Sequence, residues 1–168
     1  MKHRYTLALA ICSLFCSIQG AQRSYSPLIK AAIENNTNDI SGLLLGVSFD
    51  ASYRWHAPVH ILDTDEHGLT AHMYVIKNGN KVAWEVLKAQ TWYSAYAHMV
   101  TDTGLTLMHY AAYYGNESVV RFLLQTAREW PQYQIPCNTQ SNKGNTPKQL
   151  AQQKDHRNIV ILFEAYGF

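Results

Sequence analysis

Part of this chain is written more than once, and that repetition limits its fold more than any other feature. The clearest unit reads Gly104-Leu105-Thr106-Leu107-Met108-His109-Tyr110-Ala111-Ala112-Tyr113-Tyr114-Gly115, followed by Asn116, Val119-Val120 and Phe122-Leu123-Leu124. A second copy opens at Gly144-Asn145-Thr146-Pro147 and ends in Ile159-Val160-Ile161-Leu162-Phe163. A weaker copy opens at Gly68 and keeps Thr70, Gly79-Asn80 and Val86-Leu87 in register; its two glycines stand eleven residues apart, as in the clearest unit. A partial copy is Ser26-Pro27-Leu28-Ile29-Lys30-Ala31-Ala32, with Asn35-Asn36, Ile40 and Leu43-Leu44 behind it. Units of this size cannot bury an apolar face alone, so they must stack on one another around a continuous core.

Each unit also carries its own punctuation. Ser26, Thr106 and Thr146 stand where an N-cap hydroxyl accepts from a free helix N–H. Pro27 and Pro147 occupy the first helical turn, where a missing N–H costs nothing. Ala31-Ala32 and Ala111-Ala112 let a neighbouring helix approach closely, and Asn35, Gly79 and Gly115 are suited to the left-handed residue that ends a helix. Val119, Val120, Leu123 and Leu124 recur at helical spacing and form the apolar stripe of a second helix.

These strings resemble the ankyrin repeat, whose signature is Thr-Pro-Leu-His-x-Ala-Ala, a Gly, and then an apolar second helix. The resemblance covers nearly all of residues 22–168. It implies an all-α solenoid of about four helix-turn-helix units, near 22–46, 65–90, 101–127 and 141–166. The threonine positions 26 (as Ser), 70, 106 and 146 lie 44, 36 and 40 residues apart. Against the usual repeat of about 33, that implies inserted loops of about eleven, three and seven residues. Leu107 and Met108 depart from the Pro-Leu of the pattern. Val75-Ile76 replaces the small pair in the second unit, so helix packing there must differ. Asp155 replaces the helix-ending Gly in the last unit, the polar drift of a terminal repeat.

The resemblance also implies a non-enzymatic scaffold that binds a partner protein on a concave face of hairpin tips and first helices. Register places Asp102, Thr103 and Leu105 at the tip of the third unit, with Tyr113 and Tyr114 at its exposed first-helix positions. The matching residues are Glu66, His67, Leu69, Lys77 and Asn78 in the second unit, and Asn142, Lys143, Asn145, Gln153 and Lys154 in the fourth. Tyr113 and Tyr114 are the leading contact candidates, because Tyr is enriched where truncation costs most binding. Trp92, Tyr93 and Tyr96 form another aromatic cluster, for which a core role is favoured over recognition; Trp55 and Trp130 fall in inserted loops.

The N-terminus is read separately. Lys2, His3 and Arg4 precede an uncharged run from Tyr5 to Ile18, then Gln19, Gly20 and Ala21. That is the order of a secretory signal peptide, residues 1–21, cut near Gly20 or Ala21; the run is too short to span a membrane. The alternative is an uncleaved anchor. Cys12 follows Ile11 and Cys16 follows Phe15, poor settings for lipid attachment. Removal takes Cys12 and Cys16 and leaves Cys137 alone, with no internal disulfide. An exported chain of this kind, periplasmic or secreted, fits a bacterial source better than a small animal secreted domain. Asn35-Asn36-Thr37 and Asn116-Glu117-Ser118 match glycosylation triplets, which matter only in a eukaryote.

Of the 14 Lys and Arg, Lys2 and Arg4 lie in the signal segment, so the remainder balances the 12 Asp and Glu. Such a chain has no phosphate-binding footprint, and no nucleic acid is expected. No cofactor and no stable membrane insertion after cleavage are expected either, and a monomer is. Chemistry is sparse. His109 holds the Leu-His position of the pattern, where the ring is expected to hydrogen-bond backbone in the adjacent turn. His56 and His60 have a zinc-like spacing near His67 and His72, with Asp63, Asp65 and Glu66 close by. Pro58 lies between the first two, and the group contains no Cys, so structural roles are favoured. Cys137, beside Pro136, has no Cys-His-Asn framework. No phosphate loop, Gly-x-Ser-x-Gly elbow or paired zinc motif is present. A secreted effector acting on a host protein, and a metal- or thiol-dependent enzyme on the same scaffold, are the rival readings.

Overall fold

A computed structural model describes residues 25–45, 61–90 and 96–168. The signal segment with Cys12 and Cys16, and Trp55, His56, His60, Trp92 and Tyr93, lie outside them. The described helices come in pairs: α1 (Pro27–Ile33) and α2 (Thr37–Leu45), α3 (Ala71–Lys77) and α4 (Lys81–Gln90), α5 (Leu107–Tyr113) and α6 (Glu117–Glu129), α7 (Pro147–Gln153) and α8 (Arg157–Ala165). A 3-10 turn at Pro131–Tyr133 follows α6. First helices stack α1–α3–α5–α7, and second helices pack α2 on α4 and α6 on α8. The architecture is an all-α repeat solenoid, as the residue register implies.

The same local chemistry builds every unit. Ser26, Thr70 and Thr146 cap their helices by accepting from the N–H three residues on, at 3.5, 3.4 and 3.3 Å. In unit four the box is reciprocal, because Gln149 Oε1 accepts the Thr146 N–H at 2.8 Å. Thr146→Ala is expected to cost about 1 kcal/mol in chemical denaturation. A loss of only a tenth of that would mean that the box is not formed in solution. In unit three the box is closed by a histidine: His109 Nδ1 accepts the Thr106 N–H at 3.1 Å and lies 2.8 Å from the Thr106 hydroxyl.

Each first helix ends on a left-handed residue at one register position, Asn35, Gly79, Gly115 or Asp155. The next residue then donates its N–H back into the helix, to Ala31, Val75, Ala111 and Ala151 at 2.9–3.1 Å. Asp155 therefore does the work of the missing Gly. Adjacent units are tied by side chains that reach carbonyls at the open end of the preceding first helix. Asn78 Nδ2 donates to Ala32 O at 2.8 Å, and Asn116 Nδ2 to Ile76 O at 2.9 Å. His156 Nε2 lies 3.1 Å from Tyr113 O.

The core runs unbroken through the stack, from Leu28 and Ile40 through Met73, Leu87, Met108, Leu123 and Leu124 to Ile159 and Phe163. Val75 and Ile76 are buried at the alanine register. Together with Trp84, Asn116 and Val119 they line a small void between units two and three. On the outer side, α4 and α6 meet less closely than the other second-helix pairs do. A groove of about 630 Å³, lined by Lys81, Glu117, Arg121 and Phe122, lies beside this junction. Two β-branched side chains where alanines allow close approach account for the looser fit. Tyr96 is fully buried, stacked on His72 at 4.3 Å and edge-on to Trp84 at 6.0 Å, so it braces this junction.

The third spacing is not all loop. Helix α6 has 13 residues against 9 in α8, so part of the expected seven-residue insertion extends the helix. Buried Thr126 lies in that extension.

Candidate functional site

Three hairpin tips and the exposed sides of the first helices form one surface. The tips share a backbone bond across the turn: Asp65 N–H to Leu69 O, Thr101 N–H to Leu105 O and Ser141 N–H to Asn145 O, each 3.0 Å. They are also joined to one another. Asp102 N–H donates to His67 O, and Asn142 N–H to Thr103 O, both at 3.0 Å. Asn142 Nδ2 adds a bond to Asp102 O at 2.8 Å. The tips therefore form a continuous hydrogen-bonded rim, which holds their outward side chains in fixed relative positions.

Glu66, His67, Asp102 and Thr103 are exposed on this rim. The His67 ring lies 3.6 Å from Glu66 and 3.7 Å from Asp102, bridging two tips. Leu105 is half-buried. Leu69, placed on the contact surface by register, instead packs against the core. Asn78 is exposed, but its amide is committed to Ala32 O, so its first role is to join units.

Below the rim lies an aromatic floor. Tyr113 and Tyr114 are each 38% exposed, and their rings meet edge-on at 5.0 Å. Tyr110 lies 6.0 Å from Tyr114. Tyr74 donates its hydroxyl to Asp65 Oδ2 at 2.7 Å, while Asp65 Oδ1 accepts the N–H groups of His67 and Leu69. Burial would raise the Asp65 carboxyl, but these three hydrogen bonds outweigh it and hold the group below its ordinary value. Burial, then the neighbouring groups, raise the phenols of Tyr110 and Tyr114, so both remain O–H donors at neutral pH. Lys77 sits over the Tyr74 ring at 5.8 Å and Lys154 over Tyr113 at 4.3 Å.

Tyr74 and Tyr110 belong to this floor although register arguments centred on Tyr113 and Tyr114 did not include them. Their signal was present: each is the fourth residue after its cap threonine, and Tyr110 stands one helical turn before Tyr114.

The residues weighed for chemistry are dispersed. His72 is buried on α3 among Trp84 and Tyr96, whereas His67 is on the exposed rim, so they do not share a site. Among the described residues, no group of three His, Cys, Asp or Glu is placed to hold a metal ion. Burial pushes the Cys137 thiol up to about 11, leaving it protonated and weakly nucleophilic at neutral pH. His109 is structural. Its Nδ1 accepts the Thr106 N–H at 3.1 Å, so the proton lies on Nε2, which donates to Asn145 O of the next tip at 3.1 Å.

A stack of helix pairs with a rigid rim over an aromatic floor is the build of a repeat scaffold made for binding. The family model described as Ankyrin repeats matches residues 28–132 and 85–167, and the chain belongs to the ankyrin-repeat family. Such domains are generally non-catalytic scaffolds for protein–protein interaction. A search of curated proteins finds no match to the chain. Among the described residues, no helix is long and apolar enough to cross a membrane.

Proposed function

We propose that this protein is a non-enzymatic interaction scaffold, exported from the cytoplasm, that holds a partner protein against its tip rim and tyrosine floor. The observation that carries the reading is the exposed Tyr113–Tyr114 pair, supported by Tyr110 and bordered by the joined tips. Tyrosines already held by their neighbours lose little entropy on contact, and that makes them efficient anchors. Export rests on the basic, apolar and small-residue order of residues 1–21.

The test is affinity capture from the exported fraction, followed by measurement of Kd for the purified pair. Tyr113→Ala with Tyr114→Ala is expected to weaken the complex at least thirtyfold, the effect of a hot-spot cluster worth about 2 kcal/mol or more. A complex that survives the double change with its Kd intact would place the contact elsewhere. Mass spectrometry of the mature N-terminus addresses export: a start near residue 21 supports cleavage, and an intact residue 1–20 segment would make the protein membrane-tethered. Fractionating medium from periplasm separates a resident scaffold from a secreted effector.

A further inference from the structure

We propose that the floor takes an extended acidic segment of the partner, with two carboxylates no more than about six residues apart gripping Lys77 and Lys154. This rests on the scaffold reading above and adds the chemistry of the partner.

The argument begins with what the floor offers. Lys77 and Lys154 are exposed and, among the described residues, neither has a carboxylate within ion-pair distance. Lys30, Lys88 and Lys148 differ, being paired with Glu34, Glu85 and Glu164. The carboxylate nearest the floor, Asp65, already accepts three internal hydrogen bonds. The hydroxyls of Tyr110, Tyr113 and Tyr114 have no hydrogen-bond partner among the described residues. The floor thus presents two ammonium groups and three phenol hydroxyls, and its nearest carboxylate is already engaged by internal donors. A ligand that complements the two ammonium groups carries negative charge and acceptor oxygens.

Geometry sets the spacing. Lys77 ends α3 and Lys154 follows α7, with α5 between them. Stacked helices lie roughly 8–10 Å apart, and Lys154 reaches back over the Tyr113 ring of α5, so the two ammonium groups stand less than two spacings apart, under roughly 20 Å. An extended chain advances about 3.3 Å per residue, so two carboxylates no more than about six residues apart reach both, and the residues between them bridge the gap. Those residues lie over the tyrosine rings, where aliphatic and proline side chains pack well. The rim sets orientation: Glu66 and Asp102 repel an acidic segment from the tip side and keep it on the lysine side.

The experiment selects 12-residue peptides from a random displayed library on the whole protein, then measures the Kd of the best one by fluorescence anisotropy. The expected peptides are acidic, with paired Asp or Glu no more than about six residues apart. Their binding weakens about tenfold in Lys77→Ala with Lys154→Ala, weakens with added salt, and survives Lys→Arg at both positions. Both lysines also sit at helix C-termini, where a cation complements the dipole. A purely structural role would lower the urea midpoint and leave Kd unchanged, which overturns the proposal. Neutral or basic peptides, or no selected peptide, overturn it as well. Selected peptides that need Tyr113 and Tyr114 but ignore the lysines would refute the acidic partner and keep the scaffold reading. Peptides that bind with both tyrosines replaced would refute the floor itself.

Discussion

Lowering the pH from 7 to 4.5 is expected to remove several kcal/mol of stability, because two imidazoles are buried in their neutral form. His72 is fully buried against Tyr96 and Trp84, and burial lowers its pKa from 6.5 to about 3. Burial also lowers His109, against hydrogen bonds to the carbonyls of Asn145 and Thr139 that favour its protonated form. The folded state holds both rings neutral, while the unfolded chain takes up protons below about pH 6.5. Their contribution is therefore complete above 6.5 and is lost as pH falls from 6.5 toward the folded value. At pH 4.5, two pH units below the unfolded value, His72 alone costs on the order of 3 kcal/mol. That is a large share of the roughly 5–15 kcal/mol available to a typical domain. A protonated His109 can no longer accept the Thr106 N–H, so the α5 cap opens as well. Asp65, held below its ordinary value, loses its contribution only at lower pH and so does not mask this window.

The variant that isolates the effect is His72→Met. Its register equivalents in the two neighbouring units are Leu28 and Met108, both buried, so methionine suits the position. Urea midpoints at pH 7 and pH 4.5 should show the variant losing less stability than the parent protein over that interval, by on the order of 3 kcal/mol. Equal losses in the two proteins would mean that His72 is not held neutral in the fold.

His72 also shows how far the sequence could be read. Proximity along the chain groups it with His67, His56 and His60, whereas the helical register groups it with two buried apolar residues. The register was the better guide because the stack buries this position in the first three units; only in the last unit is it a half-exposed lysine, Lys148. For the same reason the cap threonines and helix-ending residues were legible: their roles depend on backbone geometry within one unit. What depends on the neighbouring unit was not. Asn78 has the exposed position of a contact residue, yet the open carbonyl of Ala32, 46 residues earlier, claims its amide. Leu69 has a tip position, yet the core lies close enough to take its side chain. Spacing alone also cannot distinguish a longer loop from a longer helix, and the extension of α6 was read as loop. The tyrosine floor falls between these cases. Tyr113 and Tyr114 follow from register, whereas Tyr74 and Tyr110 emerge only when two units are laid over each other.

The tip glycines separate within-unit from between-unit effects most directly, and Gly104→Ala is expected to cost about 2–3 kcal/mol. Gly104 has φ +72, where any side chain is strained, at about 1 kcal/mol. A Cβ there would also run into Asn142, against its side-chain oxygen and 2.9 Å from its backbone N. Asn142 makes the two bonds that join its tip to the preceding one, to Thr103 O and Asp102 O. Moving it loosens both, at about 1 kcal/mol each. Gly144 is the internal control. It has the same turn and φ +77, but nothing lies within 4 Å of its Cβ position. Gly144→Ala should therefore cost only the local strain, about 1 kcal/mol. Gly68→Ala should behave like Gly104→Ala, because its Cβ would meet the Val100 carbonyl at 2.9 Å and Thr101 Cα at 3.0 Å. Urea denaturation of the three variants yields the ordering. If Gly144→Ala costs as much as the other two, the tips are not mechanically joined, and the rim does not hold Glu66, His67, Asp102 and Thr103 in register for a partner. If the ordering holds, Gly104→Ala should also weaken partner binding, although the added methyl lies between the units and not among the contact side chains.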